Sequence, residues 1–168
     1  MLGRLPNTLA DPAVESVARY FGVEYDESKL AAALNTNSKV GTFYADIIAW
    51  GRKKGFKVDQ HQDMTLADLE KRLDAFMPVI CLIQAWPDKP VEFKTDFKDG
   101  HYVVACGYDQ DNVYFMDPWT LGNYTYIPKD EFLNRWHDRQ RGLQIVHLGI
   151  ILSRPRSAYD DQIIKKVQ

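Results

Sequence analysis

Cysteine is scarce: the 168 residues carry two, Cys81 and Cys106. Both lie in apolar runs, and their spacing matches neither a disulfide framework nor a metal site. Free cysteine is among the most buried residue types, so both are expected as buried thiols, a usage that suits a reducing compartment. An excess of one charge is lacking too. Lys and Arg number 21 against 23 Asp and Glu, a net charge of −2. That implies no basic face, so nucleic acid is not an expected partner. No apolar run approaches the roughly 20 residues of a membrane helix. Residues 1–10 lack the apolar stretch of a signal peptide. The expectation is a chain that is not membrane-spanning and is cytoplasmic. A glycine-rich phosphate loop is missing, as is any grouping of His, Cys and carboxylates at metal-ligand spacing. No cofactor and no metal are therefore expected.

What is present reads as one globular domain. Hydrophobic residues at 45% and charged residues at 26% suit an ordinary soluble protein, long enough to bury one core without staples. We expect that domain over residues 1–155, followed by a polar tail over 156–168. The early chain has helical periods. Over 11–22, Asp11 can cap, Pro12 suits the first turn and Gly22 the stop, while Val14, Val17, Ala18 and Phe21 make one apolar face. Further helices are expected over 26–35, over 42–54 with Thr42 as cap, and over 65–76, where Thr65 and Asp68 have capping-box spacing. A short strand fits 56–60. The period then changes. Residues 78–86 form a near-continuous apolar run typical of a buried strand. Strands over 101–108 and 112–116 are joined as a hairpin through Asp109, Gln110 and Asp111. A strand over 124–127, a helix from Pro128 to about His137 and a strand over 143–152 complete the chain. Helices first and strands later predict an α+β fold, with an N-terminal helical layer packed on a mostly antiparallel sheet.

Chemistry concentrates at His101 and Asp117. They lie symmetrically about position 109, inside the hairpin turn, and such residues face each other across an antiparallel pair. A carboxylate beside an imidazole fixes the ring's tautomer and stabilises its protonated form. The same pair could equally be a structural hydrogen bond. His61 lies in a polar stretch, His137 near a helix end, and His147 in an apolar strand, where a satisfied core histidine is expected. Residues 88–100 form a long charged loop, whose Phe93 and Phe97 could cover a bound ligand. Trp119, directly after Asp117 and Pro118, is a candidate cleft wall.

These features together resemble the bacteriocin-processing cysteine peptidases that cut double-glycine leader peptides, a papain-like family. The segment SVARYFG, residues 16–22, is similar to the end of that family's first helix. Gly41 and Thr42, followed by FYADIIAWGRKKGFKV, resemble its later helix. HYVV at 101–104 and Asp117-Pro118 resemble its histidine strand and Asp-Pro. The resemblance spans residues 5–152. It implies a papain-like fold, with His101 as general base and acid and Asp117 as its orienter. It also implies a nucleophilic cysteine at Leu9 or Ala10, counting back from Gly22, and neither can attack a carbonyl. Without a thiolate the covalent route is lost. The family's oxyanion glutamine is unmatched; Asn7 is the one side-chain amide in the N-terminal segment. Cys106 lies five residues beyond His101, on the opposite strand face, and Cys81 among apolar neighbours that make a thiol inert.

Three readings follow. The first is a catalytically degenerate peptidase-like domain that binds a peptide or protein segment in the family cleft, as a partner subunit of an export or processing system. The second is an active cysteine peptidase whose nucleophile has been replaced. The third is a structural domain in which His101 and Asp117 only stabilise a hairpin.

Overall fold

The computed structural model describes residues 10–118, 120 and 124–155. Asn7, Leu9, Trp119 and the 156–168 tail lie outside the described residues. The elements run α1 (Asp11–Tyr20), α2 (Glu27–Ala33), α3 (Tyr44–Lys53), β1 (Lys57–His61), α4 (Leu66–Asp74), β2 (Val79–Gln84), β3 (Gly100–Tyr108), β4 (Asn112–Met116), β5 (Tyr124–Pro128), α5 (Lys129–Arg135), β6 (His137–Gln140), β7 (Leu143–Val146) and β8 (Gly149–Ser153). Six strands form one antiparallel sheet in the order β1-β8-β2-β3-β4-β5, and β6 and β7 form a separate ribbon. Among the described residues no helix is long and apolar enough to cross a membrane.

The apolar run that predicts a buried strand becomes β2, buried at every position. Strand alternation sends its side chains to two cores. Ile80 and Leu82 meet the layer of α1, α2 and α3, together with Tyr102 and Val104 of β3. Val79, Cys81 and Ile83 meet Leu69 of α4 and Phe132 and Trp136 at α5. The expected N-terminal helical layer therefore covers one face, while α4 and α5 cover the other. Phe132 stacks on Trp136 with ring centroids 4.6 Å apart, and the Trp136 indole N–H donates to the Leu148 carbonyl at 2.9 Å. That bond lets a large aromatic be buried without stranding its one polar atom.

Local signals hold where the chemistry is local. Asp26 caps α2, accepting from the Lys29 N–H, and the Thr65–Asp68 capping box at α4 is complete. Several expectations need correction. Asp11 is the first residue of α1, not its cap; Ala10 is the cap and makes no side-chain bond. Thr42 does not cap α3, whose cap residue is Phe43; its hydroxyl is taken by tertiary contacts described below. The single strand expected over 143–152 is two. His147 has φ 46°, a left-handed kink that ends β7 and restarts the chain in the main sheet as β8. His137 opens a strand, β6, that the polar HDRQ sequence did not suggest. Cys81 is buried as expected, whereas Cys106 is exposed, because the register slips there and leaves it unpaired.

Candidate functional site

Position 101 follows Gly100 at the head of β3, opposite Ile83 of β2. Its side chain shares a sheet face with Val103. Asp117 is the first residue beyond β4. The β3–β4 register pairs Val104 with Met116 and Ala105 with Phe115, then shifts across Cys106 to pair Gly107 with Tyr114. Continued outward, it puts Asp117 across from Val103 and diagonal to His101, so the two are not directly opposite as turn symmetry suggests. A bulge moves the register by one residue, and diagonal side chains remain within reach. His101 Nε2 donates to Asp117 Oδ1 at 2.6 Å, with both side chains 4% exposed. This is short for such a bond and typical of a charge-assisted contact. With Nε2 committed to the carboxylate, the neutral ring presents Nδ1 as its acceptor.

The other Asp117 oxygen is also engaged. Trp86 donates its indole N–H to Oδ2 at 3.0 Å. Trp86 lies just past β2 with φ 56°, a conformation rare for a bulky residue and costing on the order of 1 kcal/mol. Nothing in its local sequence favours that turn; tertiary contacts hold it there. Sequence reasoning leaves open whether Trp86 lines a cleft or fills a core and gives it no part in the His101–Asp117 pair; the structure puts it in the cavity wall and on Asp117. The available signal was an indole ending the apolar run, close in space to any residue at the head of β3.

Beside this cluster lies a cavity of about 660 Å³ walled by Ile83, Trp86, Phe93, Val103, Phe115 and Ile127, with Asp117 in its lining. Phe93 is in the wall, with the Arg135 guanidinium 3.6 Å over its ring. Phe97 sits elsewhere: it packs on the His137 ring at 4.7 Å and under Arg139. The long loop is tied down at its base. Gln84, fully buried, accepts from the Asp99 N–H and donates to the His137 carbonyl and to Asp138 Oδ1. His137 Nε2 donates to the Asp96 carbonyl at 2.7 Å. Burial pushes the Asp138 carboxyl above its usual range. His147 is satisfied as expected, donating from Nδ1 to the Met64 carbonyl, but it is half-buried and lies between two strands, not in a core strand; the exposed His61 accepts from Arg72.

The N-terminus of α1 has a different make-up. Ala10 is fully buried, and its N–H donates to Thr42 Oγ1 at 3.2 Å. Thr42 is hydrogen-bonded to the Thr36 hydroxyl at 2.8 Å, and Thr36 reaches Asp11 Oδ1. The Thr42 carbonyl accepts from the Tyr102 hydroxyl, which in turn accepts from Gln140 Nε2. A buried chain of polar groups thus joins α1 to the strand that carries His101. No nucleophilic atom sits at Ala10. Burial drives the Cys81 thiol far above its ordinary range, and desolvation also raises Cys106. Cys106 borders a groove with Tyr114 and Met116 on the sheet face away from Val103.

The fold has counterparts among solved structures. The peptidase domain of Streptococcus ComA, a bi-functional ABC transporter involved in quorum sensing, superposes with TM-score 0.65 at 21% identity, over 89% of this chain and 96% of that one. A Bacillus anthracis protein described as a C39-like peptidase gives TM-score 0.67 at 20% identity, over 93% of each chain. A double glycine motif protease from an AMS/PCAT transporter, solved in complex with the leader peptide, gives 0.57 at 14% identity, over 90% and 86%. No curated protein sequence matches. These likenesses show a papain-like peptidase fold, mixed helix on antiparallel sheet. A family model, that of the Peptidase_C39 like family, matches residues 10–143, from the buried cap of α1 to the start of β7, and the chain belongs to that family.

Proposed function

We propose that this chain is a catalytically degenerate member of its family, which binds a peptide or protein segment in the cleft beside His101 and Asp117 without cutting it. One observation carries the reading. The family match begins at Ala10, and that residue, at the head of α1, is buried hydrocarbon. Both cysteines lie on strands; burial raises the Cys81 thiol, and partial desolvation by its neighbours raises that of the more exposed Cys106, so neither is poised as a thiolate. In this reading His101 and Asp117 are remnants of the base and its orienter, and Trp86 braces them. The segment bound is of the leader type, by analogy with the relative solved with its leader peptide. The chain then serves in the cytoplasm as a subunit of an export or processing system.

The intact bond between His101 and Asp117 favours a second reading, in which an active cysteine peptidase has had its nucleophile replaced. One experiment separates the two. Ala10→Cys and Leu9→Cys are made in a background with Cys81 and Cys106 replaced by Ala, each with and without His101→Ala, and alkylation is followed against pH. In the degenerate domain, neither new thiol titrates below the ordinary value of about 8.5. A thiol lowered well below that, and restored by His101→Ala, would show an intact ion-pair geometry and sink the degenerate reading. Binding is tested with a synthetic double-glycine leader peptide, expected to bind the unaltered chain and to be recovered uncut.

A further inference from the structure

The two edges of the six-stranded sheet are built differently. β1 carries Lys57, Asp59, Gln60 and His61, and Asp59 is joined to Lys57 and Arg72. Charged side chains of this kind are how edge strands avoid pairing with other chains. β5 reads Tyr-Thr-Tyr-Ile-Pro. It has no charge, and among the described residues its outer side has no strand beside it. Tyr124 and Tyr126 are 73% and 63% exposed, and Tyr124 shares a groove with Phe76, which is 79% exposed. Exposed aromatics on an edge without charges invite pairing with other chains, and are expected where that pairing is used.

Apolar grooves flank that edge on both sheet faces. On one face, Thr125 and Ile127 border the 660 Å³ cavity with Val103, Phe115, Trp86 and Phe93. Its three charged lining residues are engaged: Glu131 and Arg135 with each other, and Asp117 with His101. On the other face, a groove of about 690 Å³ runs from Phe76 and Tyr20 across Met116 to Tyr124, and no charged residue lines it. Strand addition needs this arrangement: an open row of main-chain groups, with pockets on both faces for alternate side chains. The absence of free charge in either groove selects against charged side chains, whose desolvation would go uncompensated.

We propose that β5 is a docking edge, and that a partner polypeptide adds an extended, uncharged segment to it as a seventh strand. Its alternate apolar side chains enter the two grooves. On one face this surface shares the cavity beside Asp117 with the cleft of the proposed function; the groove on the other face is separate from it.

The test uses the full chain and an array of capped synthetic peptides alternating threonine with valine, isoleucine, leucine, phenylalanine or tyrosine. Members of the array should bind and shift the amide resonances of Thr125, Tyr126 and Ile127. Methylating alternate backbone nitrogens of a bound peptide should weaken it by about tenfold or more, and so should Tyr126→Lys, which copies the charge of β1. Tyr126 is exposed, so folding is not at stake. Phe76→Lys, in the groove that Asp117 does not line, should weaken this binding as well, which separates it from any leader peptide held in the cleft. The proposal fails if no member of the array binds or if N-methylated peptides bind equally well. It also fails if sedimentation shows a dimer that Tyr126→Lys dissolves, which would give the edge to a second copy of the chain.

Discussion

The two ends of the candidate site, the His101–Asp117 cluster and the head of α1, are built differently. Around His101 the residues are polar and tightly matched: one imidazole nitrogen and both carboxylate oxygens are hydrogen-bonded and nearly shut off from solvent, with the indole N–H of the more exposed Trp86 as the third partner. Around Ala10 the space is filled by a methyl group, and the polar atoms nearby serve the backbone and one another. On the reading proposed above, in which no reaction takes place, the difference separates features that stability holds in place from those it does not. A buried His–Asp pair is expensive to break from one side, because the partner is left desolvated. A side chain at a helix cap is not so constrained once its hydroxyl or thiol has no task. The first end is therefore explained by stability as readily as by chemistry.

The largest expected effect tests that explanation. His101→Ala strands part of the Asp117 carboxylate and should cost about 3 kcal/mol of unfolding free energy, measured by urea denaturation. A loss below about 0.5 kcal/mol, the range of exposed pairs, would break the comparison and return the pair to a purely functional role. Next comes Thr42→Val, close in shape but without the hydroxyl that accepts from the Ala10 N–H and meets Thr36. It should cost about 2 kcal/mol, the penalty of a buried donor left without a partner. If it costs nothing, the polar chain at α1 contributes no stability and that end of the site is slack.

Much of the site was legible from residue types and spacing, and the limits are physical. Hairpin counting put His101 and Asp117 together because antiparallel geometry is local and periodic. It missed the diagonal offset, since a bulge at Cys106 leaves no mark in a run as apolar as VVACGY. The capping box at Thr65 was readable because all its partners lie within one turn. Thr42 was assigned to the same kind of task and instead bonds across the fold to residues 32 and 60 positions away. Trp86 and Gln84 meet their partners across separations of 31 and of 53 or 54 positions. No periodicity encodes such contacts. β6 was invisible for a related reason: its polar residues are buried by bonding to Gln84 and the 88–100 loop, not by being apolar.

A smaller effect separates positioning from bulk. Trp86→Phe keeps most of the ring and removes the donor to Asp117 Oδ2. It should cost about 1 kcal/mol and move the His101 ring resonances, because a carboxylate that loses one donor holds the imidazole N–H more strongly. Unchanged ring resonances would show that Trp86 packs against the pair without orienting it.

The smallest effect lies at the other end and is read against pH. Asp11 opens α1, where the helix dipole favours a carboxylate. Burial opposes this and wins, so its carboxyl is held above the usual range despite a backbone N–H and the Thr36 hydroxyl. A native pKa above the unfolded one means that the folded chain binds the proton more readily. The stability it contributes is full below the unfolded value of about 4 and is lost as pH rises through the raised native value. Thermal unfolding of the wild type should show that decline just above the ordinary carboxylate range, and Asp11→Asn, which cannot ionise, should flatten it. If the variant instead loses stability as pH rises through the same window, Asp11 is not the group that responds. The apolar filling around Ala10 would then have left its nearest acid as free to ionise as one in water.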